Sequence, residues 1–185
     1  AYAEYGANVA LLARRMEKLV EVAAEVEKKG VKALPVACDV TSEEQIKAAV
    51  QTVLDKFGKI DILLNNAGTA VRGAVHEMEL ADWNRVLDTN LTSLFLVSKY
   101  VVPHMIKQKY GKVVNIASIN AIIADKAPEL ARHAYNATKA GVRALTMGMA
   151  ASYVAPNITV NSIGPGLFMT EMTVKRLFMH HGFFD

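Results

Sequence analysis

Residues 134–141 read AYNATKAG and set Tyr135 and Lys139 four positions apart. On a helix, residues at i and i+4 share a face, so this spacing would stand a phenol beside an ammonium. That juxtaposition has a chemistry. A free phenol gives up its proton at a pH of about 10. A neighbouring positive charge favours the phenolate and turns the group into a usable proton donor and acceptor nearer neutrality. The spacing alone carries little weight, because Tyr-x-x-x-Lys arises by chance in roughly one chain in two of this composition. Taken singly, Tyr135 reads better as a half-buried helix residue with a polar tip and Lys139 as a solvated one. The surrounding sequence has to supply the reason for the pair.

Stepping along the chain, short apolar runs alternate with helical patterns. NVALLA (8–13), KALPVA (32–37), IDILLN (60–65), KVVNIA (112–117) and ITVNSI (158–163) read as five strands. Between them, Leu19, Val22, Ala23 and Val26 recur at helical spacing ahead of Gly30, and Ile46, Ala49, Val50, Val53, Leu54 and Phe57 form one stripe ahead of Gly58. Thr41 and Glu44 have the spacing of a capping box. A helix starts near Leu80, and a second, from Leu91 to about Lys107, is apolar nearly all round. The Tyr135 helix runs to about Ser152. Apolar strands separated by helices imply a doubly wound parallel sheet, an α/β fold covered on both faces. With no internal linker, repeat or low-complexity tract, residues 1–185 read as a single domain.

Ligands of such sheets bind outside the C-terminal ends of the strands. Those ends carry Arg14-Arg15, Cys38-Asp39-Val40, Asn65-Asn66-Ala67-Gly68, Ala117-Ser118 and Gly164-Pro165-Gly166. Small, polar or turn-forming residues collect at each of them.

CDV at 38–40, NNAG at 65–68, DTN at 88–90, NIAS at 115–118, YNATK at 135–139 and PG at 165–166 together resemble the short-chain dehydrogenase/reductase family. They fall in family order over nearly the whole chain. The resemblance implies a Rossmann-like fold and NAD(P)-dependent interconversion of a carbonyl and a secondary alcohol. It implies a catalytic tetrad of Asn90, Ser118, Tyr135 and Lys139. In it Tyr135 exchanges the proton, and Lys139 lowers its basicity and holds the nicotinamide ribose. Ser118 donates to the substrate oxygen, and Asn90 holds a water that links Lys139 to solvent. Ser118 and Tyr135 lie 17 positions apart, a longer spacing than in many members. The extra residues, ADKAPELARH, are expected to bulge outward and to form part of the substrate wall.

By the same resemblance, Asp39 and Val40 meet the adenine, and Asn66, Ala67 and Gly68 line the adenosine side. Pro165, Gly166, Phe168 and Thr170 complete the cofactor contacts, with Tyr135 and Lys139. An acidic residue at the end of the first strand selects NAD, and an arginine there accommodates a 2′-phosphate. Here Ala13 stands at the acidic position and Arg14 follows it. The expectation is therefore NADP(H), with NAD(H) as the alternative. The stretch GLFMTEMTVKRLF is similar to enzymes that interconvert gluconate and a keto-gluconate, and relatives that reduce 3-oxoacyl thioesters of acyl carrier protein fit the tetrad equally. Arg72 and Lys126 read as solvated charges rather than groups that steer an acid. The family pairs subunits through the 91–107 and Tyr135 helices, so a homodimer or homotetramer is expected.

Composition narrows the rest. At 52% hydrophobic and 21% charged the chain is rich enough in apolar residues to fold rather than stay disordered. A net charge of +3 with scattered basic residues gives no nucleic-acid or membrane footprint. The lone Cys38 and the lack of a long apolar run suit a reducing cytoplasm. His180-His181 has no recognisable ligand spacing, so no metal is expected. The family's opening strand and glycine-rich turn have no counterpart here, nor does its last strand. The chain reads as a piece lacking both ends, of poor stability and little activity. The alternative reading is a non-catalytic family member or a nucleotide-binding module.

Overall fold

The computed structural model describes residues 1–168 of the 185-residue chain. A 3₁₀ turn at Tyr2–Tyr5 ends on Gly6 at φ 83°, in the left-handed region that favours glycine. The chain then runs through β1 (Val9–Ala13), α1 (Met16–Glu27), β2 (Ala33–Ala37), α2 (Glu43–Phe57), β3 (Ile62–Asn65), α3 (Leu80–Leu87), α4 (Ser93–Gln108), β4 (Gly111–Ile116), α5 (His133–Ser152) and β5 (Ile158–Ile163). All five strands foreseen from the apolar runs are present, to within two residues at each end.

Two local readings are corrected. The cap of α2 is Ser42, whose Oγ accepts from Gln45 N at 3.4 Å, not Thr41 with Glu44. Thr41 is taken up by Asp39, whose Oδ1 accepts from its N–H at 2.9 Å and its hydroxyl at 2.8 Å. The two helices expected from Leu80 and Leu91 are one helical run. A π-helical turn, Asp88–Thr92, joins α3 to α4 and holds Asn90.

Every strand pairing is parallel. Leu12 stands opposite Val36 in the β1–β2 sheet; in the β3–β4–β5 sheet Asn65 meets Asn115 and Asn115 meets Ser162. Among the described residues no strand joins β1 to β3, so the parallel architecture stands as two sheets rather than one. One apolar layer spans both. Leu12, Val36, Leu63, Val113 and Val160 from the strands pack with Ile46 and Val50 of α2, Val101 and Met105 of α4, and Met149 of α5. Glu43 Oε1 also accepts from Lys99 Nζ at 2.6 Å and Tyr100 Oη at 2.7 Å, tying α2 to α4. An exposed ion pair contributes less than about 1 kcal/mol. Each fully buried aliphatic side chain contributes about 1.5–3 kcal/mol, so the apolar layer holds the two sheets under their helices. The opposite face is thinner. Leu19 and Ala23 of α1 are buried beside β1 and β2, whereas Ile62 and Leu64 of β3 stay 40% and 42% exposed.

Beneath the site lies a polar chain. Asn65 Nδ2 donates to Asn115 Oδ1 at 2.9 Å and to Ser98 Oγ at 3.3 Å; Asn115 Nδ2 donates to Thr146 Oγ1 at 2.9 Å. Asn115 is fully buried. Buried amides need such partners, and these fix β3, β4, α4 and α5 relative to one another.

Candidate active site

The C-terminal ends of β3, β4 and β5 meet the start of α5 and the π turn. Lys139 comes from the second turn of α5 and is buried. Its Nζ donates to Ile116 O at 2.6 Å and lies 5.6 Å from the centre of the Tyr135 ring. Tyr135 is half-buried. Burial lowers the Lys139 ammonium from 10.5 to about 8, because a desolvated charge is disfavoured.

Asn90 is also buried. Its amide exchanges two hydrogen bonds with the Thr69 backbone: Thr69 N donates to Oδ1 at 2.7 Å, and Nδ2 donates to Thr69 O at 2.9 Å. Nδ2 also reaches Thr138 Oγ1 at 3.1 Å. Gly68 sits between these groups. A Cβ placed on it would lie 3.5 Å from Asn90 Oδ1 and 3.7 Å from Lys139 Nζ. The structure therefore gathers Gly68, Asn90, Tyr135 and Lys139. π turns recur at functional sites, and this one delivers Asn90 to the end of β3.

Ser118 follows β4 and is buried. Its Oγ accepts from Asn120 N at 3.2 Å and donates to Asn120 Oδ1 at 3.3 Å. Among the described residues no hydrogen bond joins Ser118 to Tyr135. The exit of β5 runs alongside: Ile119 N donates to Pro165 O at 3.1 Å, and a Cβ on Gly164 would sit 3.4 Å from Ser118 O. Gly166 packs near Ile119.

Asn66, Ala67 and Gly68 present an exposed stretch past β3. At the ends of the paired β1 and β2, exposed Arg14 lies within electrostatic reach of Asp39. The Asp39 carboxyl is held below its ordinary range, first by the Thr41 backbone N–H, then by the Thr41 hydroxyl, with a smaller contribution from Arg14. Val40 is half-buried beside it and Phe168 is exposed. Thr170 and the His180-His181 pair lie outside the described residues.

The long connection before α5 is exposed over most of residues 122–129, and its last residues are strapped down. Gly73 N donates to Ala131 O at 2.9 Å, His133 N donates to Gly73 O at 3.4 Å, and Val75 N donates to His133 Nδ1 at 3.0 Å. Leu130 is buried under the strap. This arrangement places a residue the sequence reading passed over. The guanidinium carbon of Arg132 lies 5.7 Å from the centre of the Tyr135 ring. The available signal was its position, one helical turn ahead of Tyr135. Arg72 and Lys126 are exposed, as read from the sequence.

A profile described as short chain dehydrogenase matches residues 1–179. The chain belongs to this family. It is 42% identical to a 2-dehydro-3-deoxy-D-gluconate 5-dehydrogenase of Formosa agariphila, over 91% of this chain and 62% of the relative. It is 38% identical to a 3-oxoacyl-[acyl-carrier-protein] reductase of a Synechocystis species, over 82% of this chain and 60% of the relative. Among solved structures, an NAD+-bound xylitol dehydrogenase aligns with a TM-score of 0.87 and 39% identity, over 94% of this chain and 66% of the other. A gluconate 5-dehydrogenase from Burkholderia cenocepacia, in complex with NADP and tartrate, aligns with a TM-score of 0.89 and 34% identity, over 98% and 69%. The chain thus spans about three fifths of the length of those two curated relatives. One of these structural neighbours holds NAD+ and the other NADP. Among the described residues no helix is long and apolar enough to cross a membrane.

Proposed function

We propose that this chain carries the reaction centre of an NAD(P)-dependent oxidoreductase that interconverts a carbonyl and a secondary alcohol by hydride transfer. The observation that carries this reading is the convergence of buried Lys139 on both the Tyr135 ring and Gly68. A desolvated ammonium with one carbonyl acceptor is costly in a merely structural role. Beside a phenol that must exchange a proton it has a purpose.

The residues present fit a nicotinamide nucleotide. Gly68 leaves open the space a side chain would fill between Asn90 and Lys139, and the exposed 66–68 backbone offers polar groups next to it. Bound there, the nicotinamide supplies or accepts the hydride. Tyr135 would give the substrate oxygen its proton or take it away. Lys139 would hold the nucleotide's ribose. Ser118 would donate to the same oxygen as negative charge develops on it. Asn90's amide is taken up by Thr69 and Thr138, so a water link from Lys139 to solvent would use its main-chain carbonyl.

Arg14 beside Asp39 supports NADP(H), since a planar guanidinium suits a phosphate. Asp39 and Val40 would line the adenine, and Pro165, Gly166, Phe168 and Thr170 the nicotinamide side. A sugar acid or polyol is the favoured substrate, and a 3-oxoacyl thioester is the competing one. Both classes are named among the relatives. Phe95 and Met147, on α4 and α5, are 50% and 62% exposed and would be covered by a second subunit in a dimer or tetramer. A monomer at micromolar concentration by light scattering would exclude that assembly. The decisive experiment is calorimetric titration with NADPH and NADH, followed by NADPH-dependent reduction of 5-keto-D-gluconate by the wild type and Tyr135→Phe. The expected result is intact nucleotide binding with turnover reduced at least about 100-fold. Nucleotide binding without any wild-type turnover of a ketone would favour a binding module instead.

A further inference from the structure

One ion pair beside Tyr135 stands outside the hydride-transfer chemistry. Asp125 Oδ2 accepts from Arg132 Nε at 3.2 Å and from Arg132 Nη2 at 2.7 Å. Both residues belong to the extended connection between β4 and α5. The backbone at Arg132 is set against Gly73 by a parallel bridge, and its carbonyl accepts from Asn136 N at 3.0 Å within the first turn of α5. The guanidinium is therefore held in place twice, by its own backbone and by Asp125, and it lies against the ring of the tyrosine proposed to act on the substrate oxygen.

The pair is open to ligands. The side chains of Arg132 and Asp125 keep 33% and 28% of their surface exposed. A guanidinium carries five N–H donors in a flat fork. Asp125 occupies the Nε edge. The Nη1 protons and the second Nη2 proton have no hydrogen-bond partner among the described residues. That remaining edge is the one a second carboxylate takes in a bidentate pair. Asp125 cancels the charge of Arg132 at long range, so the free edge selects by hydrogen-bond geometry at contact. A thioester or a polyol offers it no charged partner.

We infer that Arg132 is a specificity-determining residue that receives the carboxylate of an anionic substrate, with Asp125 as the residue that positions its fork. The substrate class is then a small hydroxy or keto acid whose carboxylate reaches Arg132 while its reacting oxygen meets Tyr135. This rests on the hydride-transfer reading above. It narrows the competing substrates to the acid.

The test is calorimetric titration of the 185-residue chain with NADPH, and then, at saturating NADP+, with D-gluconate and with neutral xylitol, for the wild type, Arg132→Gln and Arg132→Lys. The expected result is gluconate bound more tightly than xylitol and weakened at least ten-fold in Arg132→Gln. Arg132→Lys should recover part of the loss, with NADPH and xylitol binding unchanged in both variants. A purely structural role would weaken all three ligands together, and that outcome overturns the inference. So do gluconate affinity unaltered in Arg132→Gln, and a wild type that binds xylitol as well as gluconate or binds neither while taking up NADPH. In those last cases the hydride-transfer reading stands. Failure to bind either nucleotide overturns both.

Discussion

Lys139 Nζ donates to Ile116 O across 2.6 Å, pinning the second turn of α5 to the last residue of β4. This bond holds a charge in a place that disfavours it. The ammonium titrates at about 8 in the folded protein, against 10.5 for the ordinary group. Between those values the unfolded chain binds the extra proton and the folded one does not, so stability rises with pH across the window. Below pH 8 both states are charged and the burial penalty is present in full. The shift of about 2.5 units corresponds to about 3 kcal/mol. Denaturant unfolding at pH 7.5 and 10.5 should show the wild type gaining up to about that much relative to Lys139→Met. Parallel pH profiles for the two proteins would mean the buried amine does not titrate there.

Gly68 offers a cleaner separation of binding from folding. Its backbone is not in the left-handed region, and an added Cβ meets Asn90 and Lys139 only at ordinary contact distances. Gly68→Ala should therefore fold with its melting temperature within a few degrees of the wild type. The methyl group would nevertheless fill the space proposed for the nucleotide. NADPH affinity should fall at least ten-fold by calorimetry. Retained affinity would move the nucleotide away from the end of β3.

The strands, the long helices and the residues at the strand ends were legible because buried strands and one-sided helices write their period into the sequence, and because the site's motifs stand at those ends. Three things were not. The cap of α2 went to Ser42 because Asp39 captured Thr41, a competition decided by three-dimensional proximity. The π turn at Asn90 leaves no break in the apolar pattern of residues 80–108, so it cannot be told from two abutting helices. Arg132 was hidden because its meaning depends on Asp125 and Gly73, which meet it only after the connection folds back. The role of Ser118 was read by resemblance alone, and its hydroxyl is engaged by Asn120.

The amide chain under the site should matter for stability more than its surface counterparts. Asn115→Ala would leave Asn65 Nδ2 with only its longer bond to Ser98 and take away the Nδ2 donor that Thr146 Oγ1 accepts from. Leaving buried polar groups unpaired costs about 1–3 kcal/mol each. The variant should lose about 2–4 kcal/mol in urea unfolding. By contrast, Lys18→Ala breaks only the exposed pair with Glu21 and should stay within about 0.5 kcal/mol of the wild type. Equal small losses in both variants would mean the amide chain is not what holds the elements around the site.

The nucleotide form can be decided at the end of β1. Arg14 is exposed and its charge reaches Asp39, while Ala13 ends the strand without a carboxylate. If Arg14 meets a 2′-phosphate, Arg14→Ala should weaken NADPH by roughly ten-fold or more, the loss of one charge-assisted contact, and leave NADH nearly unchanged. Ala13→Asp should act in the opposite sense on the two nucleotides. It adds a carboxylate that accepts from a 2′-hydroxyl and repels a 2′-phosphate. Calorimetric titration of both variants with both nucleotides reads the preference as a ratio, so a general loss of stability cancels. A ratio that moves in neither variant would leave Arg14 a solvated strand-end charge and remove the basis for preferring NADP(H).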